Sequence, residues 1–171
     1  NVFSNNYYED LLKYLPKKES YISILKTGEV GGNYSAKRFV FDLTEENINK
    51  LNEFQISFFK NLRDILFSKE VFNSAFKIFE DTIKNRIKNF SKEEIEILGS
   101  DNFKINIRAQ LVKDFSNYNL GAHTDIESKL ITFLFYIPKD DRLKNVGTSL
   151  YKLKNKNEIN NIDFSKHFNV D

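Results

Sequence analysis

The sequence predicts an α+β fold. Apolar residues recur at helical spacing through most of residues 1–100, which indicates amphipathic helices. From residue 103 onward, strand-like stretches are separated by turn-rich ones, as in an antiparallel sheet. Helices followed by strands are typical of the α+β class. We therefore predict a single domain over residues 1–171, mainly helical over 1–100 and β-rich over 101–171.

The first predicted elements are a short helix and two strands. YYEDLLKYL at 7–15 has helical spacing and stops before Pro16, so it predicts a short helix. YISILK at 21–26 and KRFVFDL at 37–43 alternate apolar and polar residues. They predict two strands joined by a glycine-rich loop.

Two long helices are expected next. Thr44 precedes two glutamates, the arrangement of an N-cap hydroxyl with acids in the first turn, and apolar spacing continues over 44–67. A second helix is predicted over roughly residues 69–89, and Ser91 is a candidate cap for a short helix through residue 98. The phenylalanines in both long helices are expected to face a sheet rather than a ligand.

The β-rich part contains three predicted strands: FKINIRAQLV at 103–112, KLITFLFYIP at 129–138 and GTSLYKL at 147–153. Alternate residues of a strand share a face, so Asn106, Arg108 and Gln110 are expected on one side of the first strand. These three side chains line a pocket or form a solvated sheet face.

Composition excludes several classes of protein. There is no cysteine, which excludes a disulfide scaffold, a zinc finger, an iron–sulfur site and a thiol nucleophile. The formal net charge of +2 lacks the basic excess of a phosphate-neutralising nucleic-acid binder. No apolar run approaches the roughly 20 residues that span a bilayer, and no signal-peptide pattern is visible. We expect a cytoplasmic protein with no membrane partner.

The most informative motif is His123-Thr124-Asp125. Residues two apart on a strand point the same way, so the imidazole and the carboxylate are expected side by side. They are two of the three ligands in the two-histidine-one-carboxylate site that holds non-haem iron(II). An HxD motif by itself is a weak signal, and its surroundings decide its value.

Those surroundings form a linked pattern over about residues 105–151. It runs R-x-Q-L-V-x-D, then Y-x-L-G-x-H-T-D-x-x-x-K-x-x-T-x-L-F-Y-I-P, then G-T-S-L-Y. This pattern resembles the iron(II)/2-oxoglutarate-dependent oxygenases, and it looks closest to a bacterial and phage branch of that family. The N-terminal helices are similar to the family only in general layout.

The resemblance implies a double-stranded β-helix, a jelly-roll or cupin-like barrel, with an N-terminal helical layer. It implies Fe(II), 2-oxoglutarate and O2 as cofactor and cosubstrates, with hydroxylation of an unidentified substrate and release of succinate and CO2. His123 and Asp125 would be metal ligands. Gln110, Lys129 and Tyr136 would be candidates for contact with 2-oxoglutarate.

The pattern is incomplete in one respect. The family has a later histidine in a small-residue strand, commonly followed by an arginine that pairs with 2-oxoglutarate. The only later histidine is His167, in the polar stretch DFSKHFNVD. We expect that the distal histidine and arginine lie beyond Asp171, with His167 as the alternative ligand.

Two other functions stay open. A non-catalytic β-barrel binding module would lack a complete metal site, as the setting of His167 suggests. A different metal-dependent enzyme on a cupin-like barrel is ranked third, because such sites usually gather more histidines than the two present.

Overall fold

The structure, a computed structural model, describes residues 4–30, 37–87, 92, 106–115, 129–140, 142, 147 and 148. Contacts between residues divide the chain into two compact units, each described by itself below. One unit comprises residues 14–114, and the other combines residues 1–13 with 115–171. The jelly-roll prediction and the single-domain prediction both stay predictions.

A three-stranded antiparallel sheet lies in the unit of residues 14–114. Its order is β1 (Ile22–Ser23), β2 (Arg38–Asp42) and β3 (Gln110–Asp114), with β2 in the centre. The Leu43 amide donates to the Ala109 carbonyl at 3.0 Å, which extends the pairing one step past β3. The sheet thus joins a strand from the predicted helical part to one from the predicted β-rich part.

Two strand predictions are corrected in their bounds. YISILK is a strand only at Ile22–Ser23, and Ile24–Lys26 forms a 3₁₀ turn instead. The Thr27 hydroxyl donates to the Ile24 carbonyl at 2.7 Å, and Gly28 has a φ of 76°, so local turn bonding ends the strand. In the strand predicted over residues 103–112, residues 106–109 precede β3 and are not part of it.

The two sides of the sheet carry different residues, because paired residues share a face and neighbours alternate. The side that we call the Val40 face carries the side chains of Ile22, Arg38, Val40, Asp42, Gln110, Val112 and Asp114. The opposite side is apolar at its centre, where Tyr21, Phe41 and Leu111 are all buried.

The helix prediction over 44–67 is right at its start and wrong in its continuity. The Thr44 hydroxyl accepts from the Asn47 amide and caps α2 (Glu45–Ile48), as predicted. The chain then turns and starts again as α3 (Glu53–Leu66). The cause is a capping box, in which Asn52 accepts from the Gln55 amide while the Gln55 side chain accepts from the Asn52 amide.

The predicted helix over 69–89 is likewise divided. Ser68 caps α4 (Lys69–Ile78), and α5 (Glu80–Ile87) follows after Phe79. The predicted short helix after Ser91 lies outside the described residues apart from Lys92. The helices contribute Ile48, Phe59, Leu62, Ala75 and Ile83 to the buried core of this unit.

The buried Tyr21 gives a prediction about pH. Burial raises the pKa of its hydroxyl from 10.0 to about 12. The folded protein therefore holds this proton more tightly than the unfolded chain, so stability falls as the pH rises from 10 towards 12. Urea unfolding of the wild type and of Tyr21→Phe across that range measures the effect. The wild type is expected to lose more stability than the variant, and parallel curves would contradict the assignment.

The other unit contains α1 (Asn5–Tyr14) up to Lys13, which confirms the first predicted helix. The Tyr8 hydroxyl donates to the Pro138 carbonyl at 2.6 Å and ties this helix to the end of the 129–138 segment. The structure assigns no strand to 129–138, where Phe133, Leu134 and Phe135 are exposed. Within the described ranges, no helix has the length and apolar character needed to cross a membrane.

Candidate functional site

The predicted metal ligands lie outside the described residues. This holds for His123, Asp125 and the alternative ligand His167, so their roles stay predictions. Among the residues that the structure does describe, no group of three or more His, Cys, Asp or Glu side chains is placed to hold a metal ion.

The donor set itself fits iron(II) in part. A neutral imidazole and a carboxylate are the ligand types of the facial iron site, and His123 and Asp125 supply one of each. A third donor is needed, and the sequence holds only one further histidine, His167.

Gln110 is the first predicted contact residue within the described part. It opens β3 directly opposite Asp42 and is partly buried. Its side-chain nitrogen Nε2 is buried and has no hydrogen-bond partner among the described residues. A buried donor without an acceptor costs about 1–3 kcal/mol, so this amide is suited to receive an acceptor group.

Arg108 forms ion pairs with two carboxylates, and its side chain is 49% exposed. Its Nε and terminal nitrogen bind Asp42 at 3.0 and 2.8 Å, and the same terminal nitrogen binds Glu29 at 2.5 Å. The hydrogen bonds that Arg108 donates to Glu29 and to Asp42, in that order of effect, raise the pKa of the guanidinium above its ordinary value. Arg108 thereby joins β2, the residues before β3 and the turn at Gly28.

A second arginine on the Val40 face is also paired. Arg38 binds Asp114 through two parallel bonds of 2.8 and 2.7 Å, the bidentate geometry that a planar guanidinium favours. This pair lies across β2 and β3, at the opposite end of the strands from Arg108. Charge is therefore concentrated at the two ends of the face.

Tyr136 lies in the other unit, where its hydroxyl is hydrogen-bonded to the Thr148 hydroxyl. Either oxygen can be the donor. This bond brings together two parts of the linked pattern, the YIP at 136–138 and the GTSLY at 147–151. Lys129, in the same unit, is exposed.

Sequence reasoning singled out Arg108 and Tyr136 as candidates but missed the hydrogen-bond partners of both. The separation of 66 residues between Arg108 and Asp42 leaves no local signal for their pairing.

Comparisons with family models, with curated proteins and with solved structures find no match for this chain.

Proposed function

We propose that this protein is an iron(II)- and 2-oxoglutarate-dependent oxygenase that hydroxylates a substrate. The observation that carries the proposal is the linked pattern over residues 105–151. In it, HTD at 123–125 is followed at fixed intervals by Lys129, Thr132, the YIP and the GTSLY. The linked series is much more specific than an HxD motif alone.

The hydrogen bond between Tyr136 and Thr148 supports a role for Tyr136 in binding 2-oxoglutarate. If the Thr148 hydroxyl donates to Tyr136, the phenolic proton is left to donate to another group. A carboxylate is a strong acceptor for such a proton. We assign Tyr136 to a carboxylate of 2-oxoglutarate, with Lys129 as a cation in the same unit.

The metal would be held by His123 and Asp125. When bound, iron(II) with 2-oxoglutarate supplies the activation of O2 that an unactivated C–H bond requires. The protein's own residues have the remaining tasks of fixing the ligand geometry and orienting the cosubstrate. Tyr136 would direct its phenolic proton to the cosubstrate, and the bond to Thr148 would fix the orientation of the hydroxyl.

Anaerobic titration of the full-length protein with Fe(II) and 2-oxoglutarate tests the proposal. We expect a weak visible charge-transfer band that appears only when both are present. His123→Ala is expected to abolish the band, because it removes one metal ligand. Circular dichroism of the variant checks that it remains folded.

His167→Ala is the matched comparison, since it removes the only other histidine in the sequence. Retention of the band in this variant would assign the distal ligand to another residue, and its loss would assign that ligand to His167. Absence of the band from folded wild-type protein would overturn the oxygenase proposal.

A non-catalytic binding module is the second candidate. The polar setting of His167, unlike the small-residue strand of a distal ligand, is the observation that favours it. Such a module would give no band in the titration, whatever the concentration of iron and 2-oxoglutarate.

A further inference from the structure

Helix α4 has apolar residues on two sides. Ala75 is buried in the core of its unit, whereas Val71 and Ile78 are 37% and 74% exposed. Residues seven apart on an α-helix lie within about 20° of each other, so Val71 and Ile78 share one side of α4. Ser74, which is also exposed, lies between them. We call Val71, Ser74 and Ile78 the α4 strip.

Two exposed charges, Glu70 and Lys77, lie along one edge of the α4 strip. Each immediately precedes an apolar residue of the strip, so both lie on the same edge. They are seven residues apart, beyond the three or four residues at which side chains pair along a helix. Within the part of the chain that the structure describes, neither is in an ion pair, whereas Lys84 and Glu80 of α5 pair at 2.5 Å.

This charged edge is self-complementary about a two-fold axis perpendicular to the helix. Such an axis sets two copies of α4 antiparallel and brings the same edge of both together. With the axis beside Ser74, Glu70 of one copy matches the level of Lys77 of the other to within about 3 Å, and the reciprocal pair follows by symmetry. Val71 then meets Ile78 of the second copy, and the small Ser74 side chain allows close approach. A parallel pair would set the charged edge against an uncharged one.

We propose that the protein forms a symmetric dimer through the α4 strip. A second copy is the occupant that the charges favour, because one contact covers Val71 and Ile78 and pairs Glu70 with Lys77 twice. The 10 residues of α4 span about 15 Å, so the contact is small. The expected dissociation constant is on the order of 100 µM. The inference needs neither iron nor 2-oxoglutarate, so it fails or stands separately from the oxygenase proposal.

Sedimentation velocity of the whole protein, from about 10 µM to about 1 mM, tests the inference. We expect the sedimentation coefficient to rise with concentration towards that of a dimer. Ile78→Asp is expected to weaken association at least about tenfold, because it places a carboxylate in the apolar contact. Phe54→Asp, on α3, changes a residue that is also 74% exposed and is expected to leave association unaltered. Circular dichroism checks that each variant is folded.

The two charges allow a test that loss of folding cannot imitate. Glu70→Lys leaves two lysines on the edge and Lys77→Glu leaves two glutamates, so each variant alone is expected to associate about tenfold more weakly. Mixed in equal amounts, the two variants form both ion pairs between unlike chains, and the mixture is expected to recover the wild-type association. Wild-type protein that stays monomeric, equal effects of Ile78→Asp and Phe54→Asp, or a mixture that associates no better than its components would each overturn the inference.

Discussion

Replacement of Phe59 by alanine is expected to lower the free energy of unfolding by about 3–5 kcal/mol. Phe59 lies on α3 and is 0% exposed, and its ring meets that of Phe58 edge-on at 5.4 Å. Truncation loses the free energy gained by transferring a whole ring from water to the core. It also leaves a cavity, which the surrounding residues fill only in part. Chemical denaturation monitored by circular dichroism measures the change.

The same helix provides the control. Phe54 is 74% exposed near the start of α3, so Phe54→Ala makes an identical chemical change without loss of burial. Its effect is expected to stay within about 0.5 kcal/mol. Should Phe59→Ala fail to fold, Phe59→Leu keeps most of the volume and is expected to lose less. Equal losses at positions 54 and 59 would show that Phe59 is not a core residue.

Local signals in the sequence predicted local structure well. Thr44 and the glutamates after it identify the start of α2, because capping depends on residues within one turn. The break between α2 and α3 was missed because apolar spacing continues across it, through Ile48 and Leu51. The signal was present in Asn52 and Gln55, whose reciprocal bonds start a new helix. Periodicity thus predicts which residues face the core better than where a helix is interrupted.

Non-local pairing could not be predicted in the same way. The alternation over 106–110 correctly suggested that Gln110 belongs to a strand, but not that β2 would be its neighbour. Arg108 was a candidate for lining a pocket, yet it forms ion pairs with Glu29 and Asp42, which are 79 and 66 residues away. No local rule connects such residues. For the HTD motif, the residue types suggest a chemistry, but the motif lies outside the described residues.

Replacement of Arg108 by methionine is expected to lower the free energy of unfolding by roughly 1–2 kcal/mol at neutral pH. Methionine retains an unbranched apolar stem but removes the charge that joins Asp42 and Glu29. The two carboxylate oxygens lie within roughly 5 Å of each other, because both accept from the same guanidinium nitrogen, at 2.5 and 2.8 Å. Without Arg108 they repel, and the repulsion disfavours the folded state.

The pH dependence of this loss separates repulsion from a loss of packing. Repulsion in the variant requires that both carboxylates are charged. The penalty is therefore present at neutral pH and shrinks as the pH falls through about 4, where carboxylates become protonated. Arg108→Lys, which retains a charge without the planar fork, is expected to lie between wild type and methionine. Urea unfolding at pH 7 and pH 4 compares the three proteins, and a penalty for methionine of the same size at both values would contradict the electrostatic role of Arg108.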